Sequence, residues 1–222
     1  MNGKSTNLVL DFDGTMVKLF ARYNLSKITE RLASEMEKFG ISLDKGLDPF
    51  DVFSEISKQV DSGDEKIIAY TKAHKILTEA ETEAVKTCEP ICGIDEIFPL
   101  LCKNYNVGIA TNNSEECVKI FLSERYSDIN VSIVGRVGSA PERMKPNIWP
   151  LVTVAGRLGC RLEDIVFIGD ASTDYLCAKN AGCAFLGIAH SPYKRERLSE
   201  FLPPEHIAEN YYQLSSMLKS LI

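Results

Sequence analysis

Four aspartates, one threonine and one lysine stand at positions in this chain where they could do chemistry. Asp11 and Asp13 belong to the run Asp11-Phe12-Asp13-Gly14-Thr15, Thr111 opens Thr111-Asn112-Asn113, and Lys145 precedes Pro146. Asp170 and Asp174 belong to Gly169-Asp170-Ala171-Ser172-Thr173-Asp174. Brought together, the four carboxylates would repel one another unless a cation sat among them. Hard oxygen ligands suit Mg²⁺, which prefers one or two carboxylates, waters and a substrate phosphate. Lys145 adds a fixed positive charge, and Thr111 offers a hydroxyl beside backbone N–H groups that suit phosphate oxygens. A carboxylate such as Asp11 can attack phosphorus and divide one hard hydrolysis into two displacements. The cation and Lys145 would offset the repulsion between that carboxylate and the phosphate. Asp13, two residues on, points differently along an extended chain and could protonate the leaving oxygen, then activate water.

The elements that must hold these groups are legible as apolar runs. Leu8 to Phe12, Val107 to Ala110 and Ile165 to Gly169 are short, rich in Val and Ile, and each stops at the polar groups named above. Val131 to Val134 and Ala184 to Ala189 are similar. Such runs fit strands buried on both faces of a parallel sheet. Helical patterns lie between them: residues 114–123, Ile148 to Leu158, and Tyr175 to Ala181 with Gly182 as a stop. Alternating strand and helix predicts a doubly wound, Rossmann-like α/β sheet, where ligands bind beyond the carboxyl ends of the strands. Residues 16–88 break the alternation and show no strand pattern. They carry three helical faces, Leu25-Ile28-Leu32-Met36-Phe39, Phe50-Phe53-Ile56-Val60 and Ile67-Tyr70-Ala73-Leu77-Ala80-Ala84. The expected organisation is therefore an α/β core of residues 1–15 and 89–222, with a small all-helical domain of residues 16–88 inserted after the first strand.

The order DFDGT, an apolar strand with TNN, KP, then GDASTD resembles the four motifs of the haloacid dehalogenase-like hydrolase superfamily. The insert resembles that family's first type of cap, and the layout resembles its phosphoglycolate phosphatase and β-phosphoglucomutase branch. The resemblance spans the chain and implies a Mg²⁺-dependent phosphatase acting on a small phosphorylated metabolite through an aspartyl-phosphate. It implies Asp11 as nucleophile, Asp13 as general acid/base, and Thr111 and Lys145 as partners of the phosphate and the nucleophile. Asp170 would be a direct metal ligand, and Asp174 a ligand through water or an orienting partner for Lys145. The metal set is thus Asp11, Asp13 through its backbone carbonyl, Asp170 and Asp174. The short span from Lys145 to Asp170 leaves no room for a second large cap.

Other readings compete. Alone, Asp11, Thr111 or Asp170 reads as a helix cap or turn former; three at successive strand ends, with Lys145, read as a site. Asp174 could sit in a first helical turn for its dipole. Asn112 and Asn113 could cap the next helix, and Asn112 could also reach a substrate phosphate. A phosphomutase of this family carries a cap histidine soon after the first motif, whereas here no histidine precedes His74. A phosphonate hydrolase would need a desolvated cap lysine, and nothing marks Lys18 or Lys27 as one. A dehalogenase lacks the second aspartate, and a non-catalytic binding protein would show a broken motif. His74 reads as a solvated helix position, Trp149 as packing, and Arg22, Tyr23 and Lys45 as candidate substrate contacts from the cap.

Composition narrows the field further. A net charge of −6 over 222 residues gives no basic face for nucleic acid, and Lys194, Arg195 and Arg197 read as a solvated turn or helix face. No apolar segment is long enough to span a bilayer, and the polar start lacks a secretory signal, so a cytoplasmic location is expected. The seven cysteines form no CxxC pair and are expected as reduced thiols. Cys88 and Cys92 could share a helix face, but a zinc site would need two further ligands, and His190 and His206 have no matching spacing.

Overall fold

The computed structural model describes residues 6–44, 46–61 and 63–221. Among them, six parallel strands form one sheet in the order β5-β4-β1-β6-β7-β8. These are β1 (Asn7–Leu10), β4 (Asn106–Ala110), β5 (Ser132–Val134), β6 (Ile165–Gly169), β7 (Ala184–Ile188) and β8 (Ile207–Ala208). The helices between them are α4 (Ile94–Asn104), α5 (Glu115–Arg125), α6 (Trp149–Leu158), α7 (Ser172–Ala181), α8 (Pro192–Ser199) and α9 (Tyr211–Leu221). They cover both faces, so the central strand is apolar throughout: Leu8, Val9 and Leu10 are wholly buried. Ser114 caps α5, Ser191 caps α8 with Pro192 in its first turn, and Gly182 ends α7 in the left-handed conformation.

Register decides where the reactive residues go. Leu10 pairs with Ile109 of β4 on one side and with Ile168 of β6 on the other. Asp11 thus lies level with Ala110 and Gly169, and Thr111 and Asp170 follow one residue further along their strands, which brings the three to the same edge of the sheet.

The expected doubly wound core with a helical cap stands. Three helices lie in the insert: α1 (Leu25–Met36), α2 (Val52–Gln59) and α3 (Asp64–Ala84). They enclose their own apolar cluster, which includes Leu32, Met36, Phe53, Ile56, Ala73 and Leu77. Several expectations need correction here. The insert is not free of strand, because β2 (Val17–Lys18) pairs antiparallel with β3 (Glu89–Pro90). A two-residue ladder is too short to leave an alternating pattern. The expected inner face of α3 holds at Tyr70, Ala73, Leu77, Ala80 and Ala84, but Ile67 faces solvent at 49% exposure and Ile76 is buried in addition. Phe39 lies in a 3₁₀ turn after α1, and Val60 just past the end of α2. Cys88 and Cys92 flank β3 and share no helix. No helix among the described residues is long and apolar enough to cross a membrane.

Candidate active site

The sheet's carboxyl edge and the insert enclose a cavity of about 460 Å³, within the usual range for small-molecule sites. Asp11, Asp13, Thr111, Asn112, Lys145, Asp170 and Asp174 all line it. The seven residues expected at the site are thus brought together. Lys145 is buried, and its Nζ lies 2.6 Å from Asp11 Oδ1 and 2.6 Å from Asp174 Oδ1. These two carboxylates hold its ammonium charged, raising its pKa despite the opposing effect of burial. The Nζ also sits 5.5 Å over the Phe167 ring.

Asp174 does more than balance charge. Its Oδ2 accepts the N–H groups of Asp170 (3.1 Å) and Ala171 (3.0 Å), which fixes the turn between β6 and α7. Burial, partly opposed by Lys145, pushes its carboxyl upward. Its Oδ1 meets Lys145 Nζ as an ion pair but accepts no aligned hydrogen bond. Gly169 is required beside it, since a Cβ there would come within 2.5 Å of the Asp174 side chain.

Asp13 is partly open to the cavity. One of its oxygens accepts the Leu19 N–H at 2.8 Å. Loss of solvation raises its pKa to about 6, partly offset by that hydrogen bond. A carboxyl poised there can both give and take a proton near neutral pH. Gly14, at φ +83°, lets the chain turn under Asp170; a Cβ would fall 2.1 Å from Asp170 Oδ2.

Thr111 Oγ1 donates to Asn113 Oδ1 (3.0 Å) and accepts the Asn113 N–H (3.1 Å). The Asn112 amide brackets the backbone of Lys145, accepting its N–H (2.8 Å) and donating to its carbonyl (3.2 Å). Neither asparagine is the helix cap; Ser114 is.

Oxygens of Asp11, Asp170 and Asp174 lie within 4.8 Å of one another, all three residues buried. Asp170 Oδ2 accepts no aligned hydrogen bond, although Lys194 Nζ lies 2.5 Å away. Burial, opposed by Lys194, raises the Asp170 pKa to about 6. An all-oxygen, carboxylate-rich set of this kind fits Mg²⁺.

Several residues stand elsewhere than expected. Lys194 is no solvated surface group: it lines the cavity from the first turn of α8. The rule that ligands gather at strand ends, applied to β7 and the Ser191-Pro192 helix start, would have found it. His74 is half-buried, its Nδ1 accepting Arg136 Nε at 3.1 Å. Arg22 pairs with Glu89 and Tyr23 with Glu83, and neither lines the cavity. Lys45 lies outside the described residues. The cap wall is instead Leu19, Phe20, Ala21, Leu25, Pro49 and Phe50, with Asp48 and Lys18 beside them.

A model of the haloacid dehalogenase-like hydrolase family matches residues 8–188. The chain belongs to that family. As a haloacid dehalogenase-like hydrolase it is an enzyme, and its relatives include phosphoglycolate phosphatases. One from Haemophilus influenzae (strain 86-028NP) is 26% identical over 159 residues, covering 65% of this chain and 70% of the relative. Another from Pasteurella multocida is 25% identical over 171 residues, covering 69% and 75%. A hydrolase from Pseudomonas syringae shares the fold, with a TM-score of 0.66 at 18% identity over 97% of this chain and 99% of the other. A haloacid dehalogenase superfamily hydrolase from Geobacter sulfurreducens gives 0.57 at 21% identity, over 98% of each chain.

Proposed function

We propose that this hydrolase is a Mg²⁺-dependent phosphatase that cleaves a small phosphorylated metabolite through an aspartyl-phosphate on Asp11. The observation that carries this reading is the meeting of Asp11, Thr111 and Asp170, at the ends of three neighbouring strands, with Lys145 from the loop before α6, under a helical cap. The names of the phosphoglycolate phosphatase relatives support the phosphate-ester class.

In the first step an Asp11 carboxylate oxygen forms a bond to phosphorus while the bond to the ester oxygen breaks. Asp13 gives its proton to that departing oxygen. In the second step Asp13 takes a proton from water, whose oxygen bonds to phosphorus as the Asp11–phosphorus bond breaks. Phosphate leaves, and the Asp11 carboxylate is restored. Lys145 holds Asp11 and stabilises the phosphoryl oxygens, with Thr111 as a further donor once its hydroxyl turns from Asn113 Oδ1 to the phosphoryl group. Asp11, Asp170 and the Asp13 carbonyl would hold Mg²⁺, which supplies charge neutralisation for the phosphoryl group. Residues 16–88 act as the cap, keeping bulk water away and presenting a wall to the leaving group.

The test is hydrolysis of an aryl phosphate and a panel of phosphorylated metabolites, with Mg²⁺ or with chelator, beside Asp11→Asn. Activity that needs Mg²⁺ and disappears in the variant is expected. A wild type that binds Mg²⁺ but cleaves no phosphate ester contradicts the proposal.

A further inference from the structure

A second buried ion pair lies outside the reacting groups and joins the cap to the turn that handles phosphate. Glu81 interrupts the apolar face of α3, three residues before Ala84 and four after Leu77, and its side chain is wholly buried. Arg136 follows the end of β5 and is equally buried. Their two-pronged contact runs from Arg136 Nη1 to Glu81 Oε1 (2.9 Å) and from Nη2 to Oε2 (3.1 Å). The guanidinium lies 5.7 Å from each of the Phe50 and Phe53 rings.

What else the pair holds is informative. Glu81 Oε1 accepts Asn113 Nδ2 (3.1 Å), and Oε2 accepts the Ser114 N–H (3.0 Å). Arg136 Nη1 donates to the Asn112 carbonyl (2.8 Å). Three consecutive residues of the turn after β4 are thus tied to the pair. On its other side, the same turn holds the chemistry. Asn113 Oδ1 accepts the Thr111 hydroxyl, and the Asn112 amide brackets the Lys145 backbone. One path runs Glu81–Asn113–Thr111, and another Arg136–Asn112–Lys145–Asp11. A buried ion pair is weak support for stability, because well-packed apolar residues often serve as well. Arg136 also donates to His74 Nδ1 (3.1 Å) and Thr78 Oγ1 (3.5 Å) of α3, but a pair that only packed α3 would make no bonds to the turn, and this one makes three.

We infer that Glu81 and Arg136 are positioning residues for phosphoryl transfer. They hold Thr111 and Lys145 in register with Asp11, so the cap stem contributes to the chemistry it covers. This rests on the phosphatase reading above. Neither residue touches the phosphate; both act through Asn112 and Asn113.

Arg136→Lys is the sharpest variant, since it keeps a buried cation against Glu81 and removes the fork that also reaches Asn112. A charge-neutral pair, Glu81→Gln with Arg136→Met, keeps volume and leaves no lone buried charge. Three readouts are needed: the thermal midpoint, kcat and KM on an aryl phosphate, and the dissociation constant of inorganic phosphate in Mg²⁺. With the midpoint near wild type, kcat is expected to fall about ten- to a hundredfold while KM moves less than about threefold, the pattern of misplaced groups. Phosphate binding is expected to weaken by about threefold or more. Wild-type kcat in folded variants overturns the inference, as does a loss that only tracks the unfolded fraction. If wild type turns over no ester but binds phosphate, the phosphatase reading fails and the phosphate affinities of the variants decide the positioning role. Failure of wild type to do either overturns both.

Discussion

The two walls of the cavity are built on opposite principles. On the core side most lining groups are charged or polar, buried or half-buried, and several are committed to a partner: Lys145 to Asp11 and Asp174, Asp13 to Leu19, Asn112 to Lys145. On the cap side the wall is largely apolar, and the ion pairs made within the cap, such as Glu55 with Lys58 and Glu35 with Lys38, face solvent, unlike the buried pair of Glu81 with Arg136 at the cap's base. Exposed pairs of that sort contribute little, whereas buried charges must be held in one geometry or not at all. On the proposed phosphatase reading, the core wall holds the reacting groups in one geometry, and the cap wall would select by shape and apolar contact. Sequence change should be tolerated very differently on the two sides.

The largest effect belongs to the core nucleophile. Asp11→Asn is nearly isosteric, and kcat should drop by on the order of 10⁴ or more in steady-state assays. Asp13→Asn removes the proton donor. An alkyl phosphate should lose about 10³-fold, and an aryl phosphate with an acidic phenol much less, because that leaving group needs no proton. Equal losses on both esters would remove Asp13 from its role as general acid. Lys145→Met strands Asp11 and Asp174 in a buried site without their cation. Denaturant unfolding should register a loss of about 3 kcal/mol besides the loss of activity. The smallest effect is expected from the cap. Leu25 lines the cavity and is 42% exposed, so Leu25→Ser should leave stability and kcat close to wild type. It should raise KM for an apolar ester by roughly fivefold. A kcat collapse in Leu25→Ser would erase the division of labour between the two walls.

The same contrast governs what could be read from sequence. Asp11, Thr111 and Asp170 announce themselves because each interrupts an apolar strand at its end, a local pattern that parallel-sheet geometry converts into proximity. The helical nature of the insert was legible for the same reason, through its 3.6-residue periodicity. Contacts between distant segments left little trace. Glu81 and Arg136 stand 55 residues apart; the hint was a carboxylate on the apolar face of α3. His74 looked solvated because its helix neighbours Lys72 and Lys75 are polar, yet Arg136 lies against it. Lys194 was masked by Arg195 and Arg197 beside it, which do form exposed ion pairs. Asp174 could be placed at the site but not given one task until its two oxygens were seen to serve Lys145 and the Asp170-Ala171 turn. The cap wall was least legible. Arg22 and Tyr23 have side chains suited to substrate contacts, whereas the wall that lines the cavity is made by Leu19, Phe20, Leu25 and Phe50.

The most direct test of the central claim is chemical trapping of the covalent intermediate. Asp13→Asn, which should slow attack by water more than formation of the acyl phosphate from a good leaving group, would be mixed with a radiolabelled aryl phosphate and Mg²⁺, quenched in acid and digested. Label on the peptide containing Asp11, released by hydroxylamine and absent when Asp11 is also replaced by Asn, is the expected result. Turnover with no labelled peptide, or label retained after Asp11 is replaced, would contradict it.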